Sequence, residues 1–380
     1  MASGGVMKTL KDIDVKDKIV LVRTDYNVPL KDGRVESDLR IRASLPTIEH
    51  LKEQGAKKII LMSHLGRPKG WDDELSLRPV AERLKALLSS GRSGALAQVL
   101  LPQKTMPSTA SSSPRVQFVD RIAGEEVKQT VEDLPEGGIL LLENLRFDSR
   151  EKENSSELAR EIIESTGSEV FVQDGFAVTH RAHTSTDAVT KLLPSVAGKL
   201  VEKEVAGLSK VLTDPERPLV AIIGGAKVED KSPLIEKFEQ LADKILVGGK
   251  IAADGYKADS GKIYVAEDFD LDAEGMKLDI GPLSAGKILE ELKGAKTVLW
   301  NGVLGKVEDP AFSTSTELVA KFLGEHSEIT SVICGGDTAG FVEELMEKNP
   351  ELDYSLVSTG GGAALVLLTG GEMPGLAALA

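Results

Sequence analysis

The sequence predicts a doubly wound α/β protein built around two cores, and three observations carry that prediction. Short β-branched, apolar runs end in glycine or a polar group, and amphipathic stretches follow them. Continuous apolar runs that alternate with helices read as parallel strands covered on both faces, and that alternation is the doubly wound pattern. A length of 380 residues exceeds one ordinary hydrophobic core and suits two. The chain's unusual residues also gather where the apolar runs stop, and the carboxyl ends of parallel strands are where open α/β sheets bind ligands.

In chain order, strands are expected in KIVLVRTDYN, KKIILMSHLGRP, GILLLENLRF and EVFVQDGF, then in PLVAIIGGAK, KILVGGK, KTVLWNGVLG, TSVICGGDTA and YSLVSTGGGA. Helical spacing is read at residues 45–54 and in SELAREIIEST, PLIEKFEQLADK, AGKILEELKG and STELVAKFLGEH. Two stretches depart from the rhythm. Residues 89–114 are rich in Ser, Gly and Pro and read as a flexible surface insertion. Residues 190–213 read as helical and stand where a two-core chain needs a connector, so the domain boundary is expected near Val196. No short-period repeat is present.

The formal net charge of -14 argues against a general nucleic-acid binder, which needs a basic footprint. It leaves room for an anionic small molecule, because a local cluster of cations inside an acidic shell still focuses field. No stretch approaches the roughly 20 apolar residues of a membrane span. The start, MASGGVMKTLKDIDVKDK, has no apolar core of a secretory signal. Cys334 is the only cysteine, so no intrachain disulfide can form; both features suit the cytosol.

The first half sets Arg40, His64, Arg67, Arg146, His180, Arg181 and His183 at or just after strand ends, with Asp25 and Asn27 after the first strand. A single such Arg is ordinarily a solvated or salt-bridged group, and a single His ordinarily packs. Several together converge: parallel strand ends are neighbours, and convergent cations without matched acids are costly unless an anion sits among them. Arginine's planar fork suits phosphate and carboxylate, and Asp25 and Asn27 suit hydroxyls. The expected ligand is small, multiply anionic and hydroxylated.

The second half ends its strands in glycine: GGAKVEDK, GGK, NGVLG, CGGDT and STGGGA. Glycine lets backbone N–H groups approach phosphates, often at a helix N-terminus, although any one of these glycines is more ordinarily a tight corner. Lys227 and Lys231 are spaced to share a helix face. Asp337 and Thr338 carry the hard oxygens magnesium prefers, and Glu308 suits ribose hydroxyls. Together these read as a nucleotide-phosphate site. GPLSAGKI has Walker A spacing but carries Ile288 where a Ser or Thr is needed, and no dinucleotide fingerprint is evident. The chain shows no nucleophile triad. That fits a carboxylate attacking a phosphate, since the carboxylate is already ionised and catalysis becomes positioning and charge stabilisation.

RTDYNVPL, SDLRIRASLPTI, LMSHLGRP, LLENLRF, DGFAVTHRAH, IIGGAKVEDK, LWNGVLG, CGGDTA and STGGGA occur in the order found in the phosphoglycerate kinase family, which the sequence resembles over nearly its whole length. The resemblance implies two Rossmann-like domains joined by a hinge helix: residues 1–195 for phosphoglycerate, 196–365 for the nucleotide, and a tail, 366–380, returning to the first domain. It implies reversible transfer between 1,3-bisphosphoglycerate with ADP and 3-phosphoglycerate with ATP in glycolysis, magnesium carried on the nucleotide, and a cytoplasmic monomer that closes about its hinge. Position by position, it implies that Asp25, Asn27, Arg40, His64, Arg67, Arg146 and Arg181 hold the phosphoglycerate, with His180 and His183 bordering them. Lys227, Lys231, Glu308, Gly335, Gly336, Asp337 and Thr338 would hold the nucleotide, with Asp337 facing the metal. Arg40, Lys231, Lys227 and Gly361 would serve the transfer itself, Gly361 through backbone N–H during closure. The chain departs from the family at Gln173, at Ala177–Val178–Thr179, at Cys334 and at Val366, where an acid is usual. Val366 and the short tail bear on closure, and the alternative reading is a binding protein that holds both ligands without turnover. A dinucleotide-dependent dehydrogenase is the remaining alternative, disfavoured by the missing fingerprint.

Overall fold

The computed structural model describes residues 6–89 and 116–380. The expected insertion at 89–114 therefore lies, Ser89 apart, outside the described residues. The chain divides into two compact units. The first runs to Glu202 and regains Met373–Ala380, and the second is Lys203–Glu372.

The first unit contains β1 (Ile19–Arg23), a small hairpin of β2 (Leu30–Lys31) and β3 (Arg34–Val35), then β4 (Lys58–Met62), β5 (Val116–Phe118), β6 (Gly138–Leu141), β7 (Val170–Gln173) and β8 (Ser195–Ala197). Apart from the hairpin these form one parallel sheet in the order β5-β6-β4-β1-β7-β8. Successive residues of each inner strand feed opposite cores. Val20, Val22, Ile59, Leu61, Ile139 and Leu141 join one cluster, whereas Leu21, Ile60, Met62, Leu140 and Phe171 join the other. Period-two side-chain alternation with both faces apolar is what the unbroken apolar runs encode. The flanking helices supply the second layer; Arg78–Ser89, for instance, buries Val80, Ala81, Leu84 and Leu87.

The second unit contains β9 (Leu219–Ile223), β10 (Lys244–Val247), β11 (Ile263–Val265), a hairpin of β12 (Phe269–Leu271) and β13 (Lys277–Ile280), then β14 (Thr297–Asn301), β15 (Thr330–Cys334) and β16 (Leu356–Val357). Its parallel sheet runs β11-β10-β9-β14-β15-β16. Trp300 on β14 is fully buried and donates its indole N–H to Gly302 O at 2.8 Å.

Three expectations need correction. Residues 190–213 are not one helix: Pro194 and Gly198 bracket β8, and the helix occupies Lys199–Thr213. β8 pairs with β7 and bridges to Thr9, so it belongs to the first sheet, and the division falls after Glu202 rather than at Val196. Val366 likewise stays in the second unit within the helix Gly362–Thr369, and the returning tail begins at Met373. There Gly375 N donates to Thr179 O at 2.8 Å and Lys8 N to Leu379 O at 2.9 Å.

Candidate functional site

In the first unit the ends of β1, β4, β6 and β7 deliver the expected residues to one edge of the sheet, except that Arg40 comes from a helix rather than from a strand end. Asp25 follows β1, is buried, and forms an ion pair with Arg40 from the first turn of the helix Leu39–Glu53. His64 follows β4 with its Nδ1 3.8 Å from the Asp25 carboxylate. Asn27 Oδ1 accepts from Gly66 N at 2.8 Å, and Gly66 O accepts from Arg146 Nη1 at 2.5 Å. Arg67 and Arg181 are exposed. Arg181 Nε donates to His180 Nε2 at 3.1 Å, and Arg181 O accepts from Thr186 Oγ1 at 2.6 Å.

The side chain at the centre of this arrangement is absent from the expected set. Arg23, the last residue of β1, is fully buried. Its Nη2 lies 3.1 Å from His64 Nδ1, and its Nε donates to Ser185 Oγ at 2.8 Å. Ser185 Oγ in turn donates to the buried Glu151 carboxylate at 2.6 Å. A charge closing an otherwise apolar strand, VLVR, was the available signal.

The arginines share one positive field. Burial first, then Arg23, Arg146, Arg40 and Arg181, hold His64 well below the ordinary imidazole value. Burial, Arg23 and Arg181 bring the Arg146 guanidinium down to about 10. Burial and then Arg23, Arg181 and Arg146 bring His183 down to about 4, and burial with Arg181 lowers His180. The histidines are therefore neutral at pH 7. Sequence alone groups them with the cations, but the arginines carry the charge. Asp25 and Glu151 are the acids that face them, so guanidinium remains in excess and an anion completes the balance.

In the second unit, Lys231 Nζ donates to Asn301 Oδ1 at the end of β14, and Asn301 Nδ2 donates to the buried Cys334 Sγ at 3.1 Å. Burial pushes that thiol up to about 11. The glycines sort into two kinds. A Cβ on Gly224 would meet the carbonyls of Gly302 and Val303, and one on Gly249 would lie 2.6 Å from Val303 O. These let the β9, β10 and β14 corners touch. By contrast a Cβ on Gly336 or Gly361 would meet nothing within 4 Å. Gly335, at φ 98°, starts the helix Gly336–Lys348, and Gly361, at φ 49°, starts Gly362–Thr369; neither helix has a side-chain cap. Lys227 stands likewise at the start of the uncapped helix Val228–Leu241. Open space at uncapped N-termini is where backbone N–H groups receive phosphate.

Asp337, in the first turn of Gly336–Lys348, Glu308, and Lys227 are exposed. Thr338 points inward instead: it is buried and its Oγ1 accepts Gly302 N at 2.9 Å. Its hydroxyl oxygen therefore holds the β14 corner. The Glu308 loop is tied to β13, with Lys306 N donating to Leu278 O at 2.8 Å. Among the described residues no group of three His, Cys, Asp or Glu side chains could cage a metal. A single exposed carboxylate suits magnesium that arrives on nucleotide phosphates, since that ion is usually held by one or two carboxylates plus phosphate.

A family model described as phosphoglycerate kinase matches residues 10–271 and 253–371. The phosphoglycerate kinase of Dictyoglomus turgidum is 37% identical over 97% of this chain and 97% of its own length. That of Moorella thermoacetica is 40% identical over 98% of each. Among solved structures, phosphoglycerate kinase from Pyrococcus horikoshii OT3 is similar with a TM-score of 0.81 at 26% identity, covering 98% of both chains. The one from Coxiella burnetii gives 0.73 at 29% identity, covering 98% of this chain and 99% of that one.

Proposed function

The chain belongs to the phosphoglycerate kinase family, and from that premise we propose how its two sites divide the work of a reversible phosphoryl transfer in glycolysis. The enzyme is a phosphotransferase that exchanges a phosphoryl group between 1,3-bisphosphoglycerate with ADP and 3-phosphoglycerate with ATP. The first unit takes the phosphoglycerate and the second takes the nucleotide. The observation that carries this division is the excess of guanidinium over carboxylate at the strand ends of the first unit.

In this reading Arg67, Arg146 and Arg181 receive the phosphate of the glycerate, while Asp25 and Asn27 orient its hydroxyl. The acceptor carboxylate is ionised at neutral pH and needs no base, which suits a neutral His64. Arg40 stabilises charge on the transferring group from the acceptor side. Lys231 and Lys227 do so from the nucleotide side, where the N–H groups after Gly335 and Gly361 meet the phosphates. Glu308 takes the ribose, and Gly336 and Thr338 shape the turn under the phosphates. Asp337 faces the magnesium ion, which supplies charge neutralisation on those phosphates. We further propose a cytoplasmic monomer. Among the described residues no helix is long and apolar enough to cross a membrane.

The test is a coupled assay of transfer from magnesium-ATP to 3-phosphoglycerate, with Arg40→Ala beside the wild type. Turnover in the wild type that falls at least a hundredfold in Arg40→Ala is the expected result. Binding of both ligands without turnover would instead support the closure-defective alternative.

A further inference from the structure

Asn144 is fully buried directly after β6, and its amide is saturated. Its Oδ1 accepts Leu65 N at 3.1 Å and Arg146 N at 3.1 Å. Its Nδ2 donates to Leu65 O at 2.7 Å and Leu75 O at 2.9 Å. Two acceptor sites and two donor hydrogens are the full capacity of an amide. The bonds clasp both stems of the loop that leaves β4, together with the backbone of Arg146. Next door, the buried Glu143 accepts Leu77 N at 2.8 Å and Ser76 Oγ at 2.7 Å, closing the far end of the same loop. Between the stems lie Gly66, which bonds Asn27 and Arg146, and Arg67.

We propose that Asn144 is a positioning residue for the acceptor site. Without reaching the ligand, it fixes the spacing of the 65–75 loop and thereby the relative placement of Asn27, Gly66, Arg67 and Arg146. The proposal rests on the reading of the first unit as the phosphoglycerate site. Its chemistry is asymmetric. Asn144→Asp keeps both acceptor roles at nearly the same size but loses both donations, and it turns a carboxylate oxygen toward two carbonyls. The loop stems then separate while the fold around them keeps its shape.

The experiment measures kcat and both KM values for the full-length wild type and for Asn144→Asp, Gly66→Ala and Arg181→Ala. Asn144→Asp is expected to raise KM for 3-phosphoglycerate about tenfold, the effect of losing buried donor bonds, and to leave KM for ATP within about twofold. Unchanged KM for 3-phosphoglycerate, or an equal rise in both KM values, overturns the proposal, because a staple that serves only the fold would not separate the two substrates. Should Asn144→Asp fail to fold, Gly66→Ala decides. Its Cβ would sit 2.8 Å from Leu75 Cδ2 and strain a φ of +63°, so it displaces the same stem. A rise confined to 3-phosphoglycerate supports the proposal, and no rise overturns it. Arg181→Ala separates the two failures. If it raises KM for 3-phosphoglycerate while the loop variants do not, positioning by Asn144 is wrong. If it too changes nothing, the acceptor site itself has been misassigned.

Discussion

Asp174 offers a stability experiment whose sign and size follow from its surroundings. The residue is fully buried after β7. Its Oδ1 accepts Thr47 Oγ1 at 2.7 Å and Leu200 N at 3.0 Å, while its Oδ2 is buried with no partner. Burial pushes the carboxyl up to about 8 from an ordinary 3.8, outweighing the hydrogen bonding from Thr47, Leu200 and Val201. A raised acid of this kind favours folding fully below its unfolded value and loses that contribution as pH rises through the folded one. Asp174→Asn reproduces the protonated carboxyl at every pH: it keeps the acceptor and carries no charge. The variant should match the wild type near pH 4 and gain on it by about 1.4 kcal/mol per pH unit up to pH 8. At pH 7 the gap is about 4 kcal/mol, or roughly 10 °C in the melting of a unit of this size. Thermal unfolding at pH 5, 6, 7 and 8, followed on both proteins, reads the slope. A gap that is constant with pH, or a variant less stable than the wild type at pH 8, would refute the reasoning.

Other outcomes follow from the same groups. Arg181→Ala, which removes an exposed guanidinium, should weaken 3-phosphoglycerate binding about tenfold and leave nucleotide affinity unchanged in calorimetry; loss of both would contradict the division of labour. Lys231→Met should lower kcat about a hundredfold or more by removing charge at the transferring group, and a change confined to KM would argue for simple binding. Gly335→Ala forces a side chain onto φ 98° within 3.4 Å of Asn301 Nδ2, and should cost about 1–3 kcal/mol in urea unfolding; a loss below that range would show that the corner relaxes. Raising salt from about 0.05 to 0.5 M should raise KM for 3-phosphoglycerate, because the outer arginines of that site are screened; a flat profile would deny them a role.

The parts of the fold that were legible are those in which one physical demand dominates. Inner strands such as IVLVR and LVAII bury side chains on both faces, so the runs are apolar up to the Arg23 that closes the first, and they are unmistakable. In the two parallel sheets the strands that escaped, β5, β8 and β11, lie at sheet edges and have three residues each, and the short hairpin strands β2, β3, β12 and β13 escaped as well. With one neighbour and partial burial, their composition is under little constraint. The candidate site divides along the same line. Arg146 and Arg181 stand out as charge after strands, whereas Arg23 is hidden because it belongs to the strand itself. The protonation of His64 and His183 could not be read from spacing, since it depends on which arginines burial gathers around them. Spacing also could not show that the Thr338 hydroxyl, in a nucleotide-like turn, accepts Gly302 N and so ties that turn to the β14 corner.

Cys334 gives the second unit a built-in clock. It is the chain's only cysteine, it is fully buried at the end of β15, and its thiol is pushed up to about 11 while Asn301 donates to the sulfur. A thiol in that state does not react with alkylating reagents at neutral pH until its surroundings open. The rate at which one sulfur becomes labelled therefore counts opening events at the corner where Lys231 and Asn301 meet. Because a ligand that binds the closed form lowers the open population by mass action, the same clock registers occupancy of that corner without any added probe.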